Sequence, residues 1–433
     1  MKGRIAIIDG LRTPFCKAGG ILQHTEADDL AAHLINEMFW RQKVTRDDVD
    51  EVIFGNVIQP VHAPNIARVI ALKSGLPHST LAHSVQRNCA SGMEAITTAA
   101  SKILGGEANL IIAGGTESMS RAPLLLNDKM KACLEALLKA RSLSAKIKIL
   151  LSIRPGHFKP VIALLKGLTD PVCGLNMGQT AERIAREMAV QRDEQDAYAL
   201  ESHHRAIKAY EEGFFESEIS AIAPTPNYKA LINQDDGIRH DLSIEKLKKM
   251  RPYFDRACGS VTIGNACQIT DGAVALFLSS EEYAKERNLN ILGYLTGYAY
   301  CGLEPERMGL GPVYSTAKLL KQEGTPDKLE DYDLMEINEA FAAQVLACAK
   351  AFSSKEFCKN HLGLDEPLGI VDPNKLNIHG GSIALGHPVG ATGARLVLTL
   401  LRALKTKGLN RGMASLCVGG GLGASLSLEV DHE

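Results

Sequence analysis

Short apolar segments typical of β-strands alternate with amphipathic helical segments from the start of the chain. Strands are predicted at 5–8, 52–54, 82–85 and 110–113, with helices at 27–40, 66–74 and 92–104. The pattern returns after residue 268, with strands at 274–278, 334–337, 413–417 and 425–430 and helices at 317–321, 340–351 and 391–404. Such alternation is typical of α/β domains, in which helices cover a sheet.

The two stretches also resemble each other in the order of their elements. In each, a glycine-containing loop opens a helix, and the helix returns through an apolar strand to adjacent glycines, at 114–115 and at 419–421. A length of 433 residues exceeds that of a usual single domain. We therefore expect a duplicated α/β unit, with its chemistry where the glycine-rich ends of the two halves meet.

Composition and charge exclude several function classes. The formal net charge is -2 and aromatic residues make up 5% of the chain, so nothing indicates nucleic-acid binding. The first residues run directly into a strand without a signal-like apolar core, and no apolar run reaches the roughly 20 residues that span a bilayer. The ten cysteines include no CxxC pair. Reduced thiols, a cytoplasmic location and no metal site are therefore expected.

The alternation fails between residues 121 and 268, which predicts an inserted, mainly helical segment. Between residues 128 and 166, nine lysines and arginines accompany only two acidic residues, interleaved with leucine, isoleucine and valine. Two interpretations remain open. The segment is either a basic amphipathic surface for a membrane or another anionic partner, or a solvated lid over the active site.

Cys89 lies at a predicted strand-to-helix junction, within residues 88–92 (NCASG). The N–H groups and the positive dipole end at a helix start favour a thiolate, so its pKa is expected below the value of about 8.5 for a free thiol. The small residues that follow leave room for a bulky substrate. Taken alone, a cysteine is more often an inert buried residue than a reactive one.

Three later motifs could complete such a site. His387 lies in a glycine- and proline-rich loop before a helix, and histidine is the usual proton acceptor for a cysteine nucleophile. Cys417 ends an apolar strand before Gly419, where glycine N–H groups can hold an oxyanion or simply form a tight turn. Asn338 follows another strand and could cap a helix or hold a water.

Together these motifs resemble those of the thiolase family. They are 88–92 (NCASG), 338–341 (NEAF), 386–388 (GHP) and 417–421 (CVGGG), supported by 9–15 (DGLRTPF), 113–120 (AGGTESMS) and 308–312 (MGLGP). The resemblance runs nearly end to end. It implies the thiolase fold: two duplicated α/β halves in a layered α-β-α-β-α sandwich, with an inserted, mainly helical loop domain. The implied division is 1–120 with 269–290 for the N-terminal half, 121–268 for the insertion and 291–433 for the C-terminal half.

The resemblance also implies roles for these residues. Cys89 would accept the acyl group, and His387 would activate it. Cys417 would act as the acid/base that handles the proton at the acetyl α-carbon or on the departing group. Asn338 would hold a water that forms one oxyanion hole with His387, and the N–H groups of Cys89 and Gly419 would form the other. Contacts to coenzyme A, the co-substrate, would come from Cys267, Met177, Met308 and Phe341, with no permanently bound cofactor.

The implied activity is that of a 3-ketoacyl-CoA thiolase of fatty-acid β-oxidation, an acyltransferase. A biosynthetic acetoacetyl-CoA thiolase and a non-catalytic, lipid-binding relative are the alternatives. Decarboxylating ketoacyl synthases lack a second reactive cysteine, so Cys417 argues against them. The implied partners are CoA thioesters and further copies of the chain, as a dimer or tetramer.

The subtype is implied by fewer residues. The basic insertion and the pair Cys267 and Gln268 are similar to the thiolase subunit of trifunctional fatty-acid oxidation complexes. A hydratase/dehydrogenase subunit would then be a partner, while the insertion stays open between a membrane contact and a lid. Asn338 stands where members of that subtype often carry histidine.

Overall fold

The strands follow the apolar segments of the sequence. A computed structural model describes residues 3–432. Its strands are β1 (Ile5–Arg12), β2 (Cys16–Lys17), β3 (Glu51–Gly55), β4 (Leu81–Val85), β5 (Leu110–Ser118), β6 (Leu124–Leu125), β7 (Val161–Ile162), β8 (Thr270–Ser280), β9 (Gly293–Gly302), β10 (Leu334–Ile337), β11 (Arg411–Val418) and β12 (Leu422–Glu429). Strand β9 is not among the predicted strands, because its glycines and tyrosines interrupt the apolar pattern.

The helices are amphipathic where they cover the strands. They are α1 (Ala27–Arg41), α2 (Ile66–Lys73), α3 (Ser91–Leu104), α4 (Asp128–Lys139), α5 (Leu143–Leu151), α6 (Ala163–Gly167), α7 (Met177–Glu187), α8 (Arg192–Glu211), α9 (Ile244–Lys248), α10 (Glu281–Glu286), α11 (Gly311–Leu319), α12 (Ala342–Ser353), α13 (Lys355–Phe357), α14 (Ser382–Leu385) and α15 (Val389–Lys407). Helix α1 buries Leu30, Leu34 and Met38 at four-residue spacing.

The strand order repeats between the two halves. The N-terminal half has the order β4-β3-β5-β8-β1, and the C-terminal half has β10-β11-β12-β9 with a parallel bridge from Met335 of β10 to Leu376 outside it. When the five segments of each half are numbered along the chain, leaving out the two-residue strands β2, β6 and β7, both halves have the spatial order third, second, fourth, fifth, first. The expected duplication of an α/β unit is therefore present. Strands β1 and β9 join the halves through antiparallel pairs such as Ile5 with Leu295.

Helices α3 and α15 form the central layer. They contact each other, α3 packs on β3 and β5, and α15 packs on strands of both halves, β5 and β11. Their close approach requires glycine, because a Cβ on Gly92 would lie 2.7 Å from the backbone nitrogen of Ala394. Helices α1 and α2 cover the other face of the N-terminal strands, and α11 covers β9 and β12. This is the expected α-β-α-β-α layering.

Between β5 and β8 the chain is mainly helical, with short β6 and β7 as the paired strands. On this arrangement we propose the division given above: 1–120 with 269–290, 121–268, and 291–433. No helix within residues 3–432 is long and apolar enough to cross a membrane.

Candidate active site

Cys89 lies in the tight turn between β4 and α3. Both the N–H and the hydroxyl of Ser91 donate to the carbonyl of Asn88, at 3.0 and 2.7 Å. Asn88 adopts a φ of 44°, a left-handed conformation that asparagine tolerates better than most residues. Its side-chain Nδ2 donates to the carbonyl of Gly419 at 2.7 Å, which joins the two halves beside Cys89.

A cleft of about 510 Å³ opens at Cys89. Its walls come from the loop after β3, from the two motif turns and from the insertion. The lining residues are Val57, Ile58, Asn88, Cys89, Met119, Ala163, Leu164, residues 166–172, Met177, Val389, Gly419 and Gly420. The part of the insertion at residues 163–172 therefore covers the site, as a lid would.

His387 is buried in the loop that leads into α15. Its Nδ1 lies 2.7 Å from Oγ1 of Thr392. Its Nε2 has no hydrogen-bond partner among residues 3–432. Burial lowers the pKa of His387 to about 3, and the charge of Arg395 acts in the same direction. The imidazole is therefore neutral at pH 7, with one ring nitrogen free for a ligand or a proton.

Asn338 follows β10 and is fully buried. Its Oδ1 accepts from the hydroxyl of Ser382 at 2.6 Å, while its Nδ2 has no partner in the described part of the chain. Helix α12 begins at Ala342 and has Phe341 as its cap, so Asn338 is not a helix cap. A buried amide N–H without a partner is costly, which makes Nδ2 a natural donor to a ligand or a water.

Cys417 and Gly419 lie where β11 turns into β12. The turn is tight, because Val418 pairs with Leu422 and both Gly420 and Gly421 have positive φ, 88° and 76°. The N–H of Gly419 donates toward the sulfur of Cys89 and, with the N–H of Cys89 itself, acts to lower the pKa of that thiol. The glycine cluster is therefore both a turn and a source of N–H groups at the Cys89 thiol.

The pKa of Cys89 is nevertheless raised, mainly by burial of the thiol, so the prediction of a lowered value is wrong. Desolvation of a thiolate outweighs the two N–H groups that favour it. Burial also raises the pKa of Cys267 to about 12 and that of Cys417 well above the usual range, and the nearby Cys89 adds to both shifts. All three groups rest as thiols near neutral pH, so Cys89 needs a base to react.

The four residues expected at coenzyme A lie at different depths. Met177 lines the cleft, and its sulfur would lie 3.2 Å from a Cβ on Gly419. Met308 and Phe341 are buried in the same hydrophobic cluster as Cys417. The N–H of Cys267 donates to the carbonyl of Ala340 at 3.0 Å. Contact between these residues and coenzyme A stays a prediction.

Glu117 is a supporting residue that the sequence prediction does not include. Its carboxylate accepts from the backbone N–H groups of Val57, Ile58 and Gly390 at 2.9–3.0 Å. It therefore ties the cleft wall to the start of α15, beside His387. Burial raises the pKa of Glu117 to about 7. An acidic residue inside an apolar strand is a signal that could have found it. Ser382 and Thr392 carry no comparable signal, because such hydroxyls are common in helices.

Two family models match nearly the whole chain. The model "Thiolase, N-terminal domain" matches residues 5–282, and "Thiolase, C-terminal domain" matches residues 289–430. The chain belongs to the thiolase family. The 3-ketoacyl-CoA thiolase of Pseudoalteromonas translucida is 40% identical over 427 residues, 98% of this chain and 97% of that protein. The 3-ketoacyl-CoA thiolase of Vibrio cholerae is 40% identical over 429 residues, 99% and 97% of the two chains.

Solved thiolase structures have the same fold. Bacillus anthracis acetyl-CoA acetyltransferase superposes with a TM-score of 0.85 at 37% identity, over 99% of this chain and 98% of that one. Human mitochondrial 3-ketoacyl-CoA thiolase superposes with a TM-score of 0.85 at 33% identity, over 99% of both chains, and has also been solved with CoA. These likenesses confirm the predicted family, fold and acyltransferase class. The names of the curated relatives confirm the predicted 3-ketoacyl-CoA thiolase function.

Proposed function

We propose that this thiolase works in the degradative direction, cleaving 3-ketoacyl-CoA with free CoA through an acyl-enzyme on Cys89. The observation that carries the proposal is the meeting of the two halves at Cys89, where the side chain of Asn88 donates to the carbonyl of Gly419. Cys89 opens to the cleft, the N–H of Gly419 faces its sulfur, and His387 and Asn338 each keep one buried polar atom without a partner in residues 3–432. Coenzyme A is the co-substrate, and no permanently bound cofactor takes part.

In the first step, neutral His387 takes the proton of the Cys89 thiol at Nε2. The thiolate attacks the 3-keto carbon of the substrate, and a carbon–sulfur bond forms. The developing oxyanion accepts hydrogen bonds from the N–H groups of Cys89 and Gly419. These donors are already in place before the charge appears. The raised pKa of Cys89 is compatible with this step, because the thiolate then forms only as His387 takes the proton and the substrate is attacked.

Collapse of that intermediate breaks the bond between the α-carbon and the former keto carbon. The electron pair leaves as the enolate of acetyl-CoA, whose oxygen is held by His387 and by a water on Nδ2 of Asn338. The thiol of Cys417 then donates its proton to the α-carbon, which releases acetyl-CoA. A deeply buried thiol with a high pKa is a weak acid toward water but sufficient for a carbanion.

In the second half of the reaction, free CoA attacks the acyl-enzyme. The Cys417 thiolate takes the proton of the CoA thiol, and Cys89 leaves as the thiolate and recovers its proton from His387. The products are acetyl-CoA and a shortened acyl-CoA, and every side chain has returned to its starting protonation state. The enzyme therefore needs no oxidant or reductant.

The biosynthetic direction is the second candidate, because the structurally similar Bacillus anthracis protein is named an acetyl-CoA acetyltransferase. A chain-length series of 3-ketoacyl-CoA substrates, from acetoacetyl-CoA to long-chain members, separates the two. We expect thiolysis to extend to long acyl chains, since the cleft wall at 163–172 includes the apolar side chains of Leu164 and Leu168. Activity confined to acetoacetyl-CoA would support the biosynthetic candidate. No cleavage of any member would support a non-catalytic relative.

A homo-oligomer is proposed as the active form. Strand β4 pairs only with β3 in the described sheet and forms one edge of it, and its Leu81 is 63% exposed. An unpaired edge with exposed apolar side chains is suited to a second chain. Light scattering on purified protein should give twice or four times the monomer mass. Adding a hydratase/dehydrogenase subunit tests whether a larger complex forms.

Peripheral membrane contact through the insertion is proposed separately. Helix α5 has no buried residue, and large apolar side chains there are exposed, with Leu143 at 75% and Leu151 at 73%. Lys146 and Lys148 lie on the same helix, and such a basic amphipathic segment suits an anionic lipid surface. Anionic vesicles should retain the protein at low salt, and the paired change Leu143→Ser with Leu151→Ser should release it. Equal retention of both proteins would contradict the proposal.

A further inference from the structure

Thr392 lies in the first turns of α15, five residues after His387. Its Oγ1 is 2.7 Å from Nδ1 of His387 and 3.0 Å from the carbonyl oxygen of Pro388. Thr392 is fully buried and His387 is 5% exposed. The hydroxyl therefore joins the imidazole to the helix backbone in a place from which water is excluded.

The direction of these two hydrogen bonds follows from the groups that make them. A carbonyl oxygen can only accept, and a threonine hydroxyl has a single hydrogen to donate. Donation from Oγ1 to Pro388, the usual back-bonding of threonine in a helix, leaves only lone pairs on Oγ1 for the imidazole. Nδ1 of His387 must then carry the hydrogen and donate it to Thr392.

A neutral imidazole has one N–H and one lone pair, so a hydrogen on Nδ1 leaves the lone pair on Nε2. Nε2 is the ring nitrogen without a hydrogen-bond partner within the described range of 3–432. The opposite arrangement would bury an N–H at Nε2 with no acceptor, which is the costlier form. A lone pair at Nε2 is also what a base for Cys89 requires.

We propose that Thr392 is a positioning residue that fixes the tautomer of His387 and so presents Nε2 as the proton acceptor of the site. This inference rests on the proposed role of His387 as the base. When Nε2 takes the Cys89 proton, the Nδ1–H···Oγ1 bond persists, and the chain through Thr392 to the Pro388 carbonyl stabilises the imidazolium. Thr392 does not contact the reacting atoms itself.

The test compares Thr392→Val, Thr392→Ser and a control, Thr399→Val. Valine keeps the shape but removes the acceptor for Nδ1–H, whereas serine keeps the hydroxyl. Thr399 is also buried on α15, and its hydroxyl donates to Glu218 at 3.1 Å, so its loss reports the general cost of removing a buried hydroxyl from this helix. The readouts are kcat, KM, the alkylation rate of Cys89 by iodoacetamide, and the ring ¹⁵N shifts of His387, assigned by comparison with His387→Gln.

We expect wild-type ¹⁵N shifts of a protonated Nδ1 and an unprotonated Nε2. Thr392→Val should lower kcat and the alkylation rate roughly 10–100-fold, the range found when a metal-binding histidine loses the group that orients it, with little change in KM. Its ¹⁵N shifts should move toward the other tautomer. Thr392→Ser should restore most of kcat and the wild-type shifts, and Thr399→Val should leave the shifts unchanged.

Wild-type shifts that place the hydrogen on Nε2 would overturn the proposal, as would an unchanged tautomer and kcat in Thr392→Val. If Thr392→Val does not fold, the ¹⁵N shifts of the wild-type protein and the kcat and ¹⁵N shifts of Thr392→Ser still test the proposal. If the wild-type protein has the expected tautomer but no thiolase activity, the proposed function fails while the assignment of Thr392 stands.

Discussion

The two halves of the molecule start their central helices beside different reactive side chains. In the N-terminal half, the turn before α3 is short and presents Cys89 at the cleft. In the C-terminal half, the segment from Leu376 to the start of α15 is longer, and it buries His387. One helix start is therefore open to substrate, and the equivalent one is enclosed. In the proposed mechanism the repeated unit therefore divides the reaction, with nucleophilic attack by Cys89 at the open helix start and proton transfer by His387 at the enclosed one.

The largest effect is expected from removing the proposed nucleophile. We expect Cys89→Ala to abolish thiolysis, because no other thiol lines the cleft within the described chain, and to remove the rapid phase of iodoacetamide labelling. Cys258→Ala is the matched control, since Cys258 is the exposed cysteine and lies outside the cleft. Unchanged labelling of Cys89→Ala would contradict the assignment of the nucleophile.

Cys417→Ser tests the enclosed half. Serine keeps the size of the side chain but is a far weaker acid and base toward carbon, so carbon–carbon cleavage should slow by roughly 10²–10⁴-fold. Transfer of an acyl group to Cys89 should change much less, measured as acyl-enzyme mass after mixing with an acyl-CoA. Cys348→Ser, which alters another buried thiol near Cys417, should affect neither step comparably. Equal loss of both steps in Cys417→Ser would indicate misfolding or a different role.

Asn338→Ala removes a donor from the proposed enolate site. Loss of one oxyanion donor typically lowers kcat about 10²–10³-fold, and KM should change little. Ser382→Ala should have a smaller effect of the same kind, since Ser382 only holds Oδ1 of Asn338. Steady-state kinetics on both variants measure this. A larger effect from Ser382→Ala than from Asn338→Ala would contradict the order of the two roles.

The smallest expected effect is a loss of folding stability in acid, caused by the buried His379 in the segment that leads to His387. Burial lowers the pKa of His379 in this loop to about 4, so the unfolded chain binds a proton below pH 6.5 that the folded chain does not. Stability is therefore lost as pH falls through this window. His379→Phe should gain about 1–2 kcal/mol relative to wild type between pH 7 and pH 5, measured by urea unfolding. A difference that does not vary with pH would contradict the burial of this loop.

Much of the fold could be predicted from the sequence because its elements carry strong periodic patterns. Strand β10 spans Leu334–Ile337 as predicted, and α1, α2 and α3 begin within one residue of their predicted starts. Strand β9 could not be predicted in this way, because glycines and tyrosines interrupt its apolar pattern and its pairing with β1 and β12 is not visible in its own residues. The residue-by-residue roles at the site remain predictions carried by the motifs.

The pKa of Cys89 shows where sequence reasoning failed. A strand-to-helix junction was correctly located, but the pattern contains no measure of how deeply the thiol would be desolvated. The same limit applies to Glu117, which binds N–H groups of other segments. It also applies to Thr392, whose contact with His387 depends on the path of the chain between them. Hydrogen-bond direction and burial are properties of the assembled site.

The amino-acid sequence alone predicts the family, the order of most strands and helices along the chain, the repetition of the unit and the position of Cys89 at a helix start. Local patterns and short motifs suffice for these, since they depend on neighbouring residues. The assembled structure was needed to show how far burial of the Cys89 thiol raises its pKa, which polar atoms of His387 and Asn338 stay free, and which part of the insertion covers the cleft. Those features depend on contacts between distant segments, such as Asn88 with Gly419 across 331 residues.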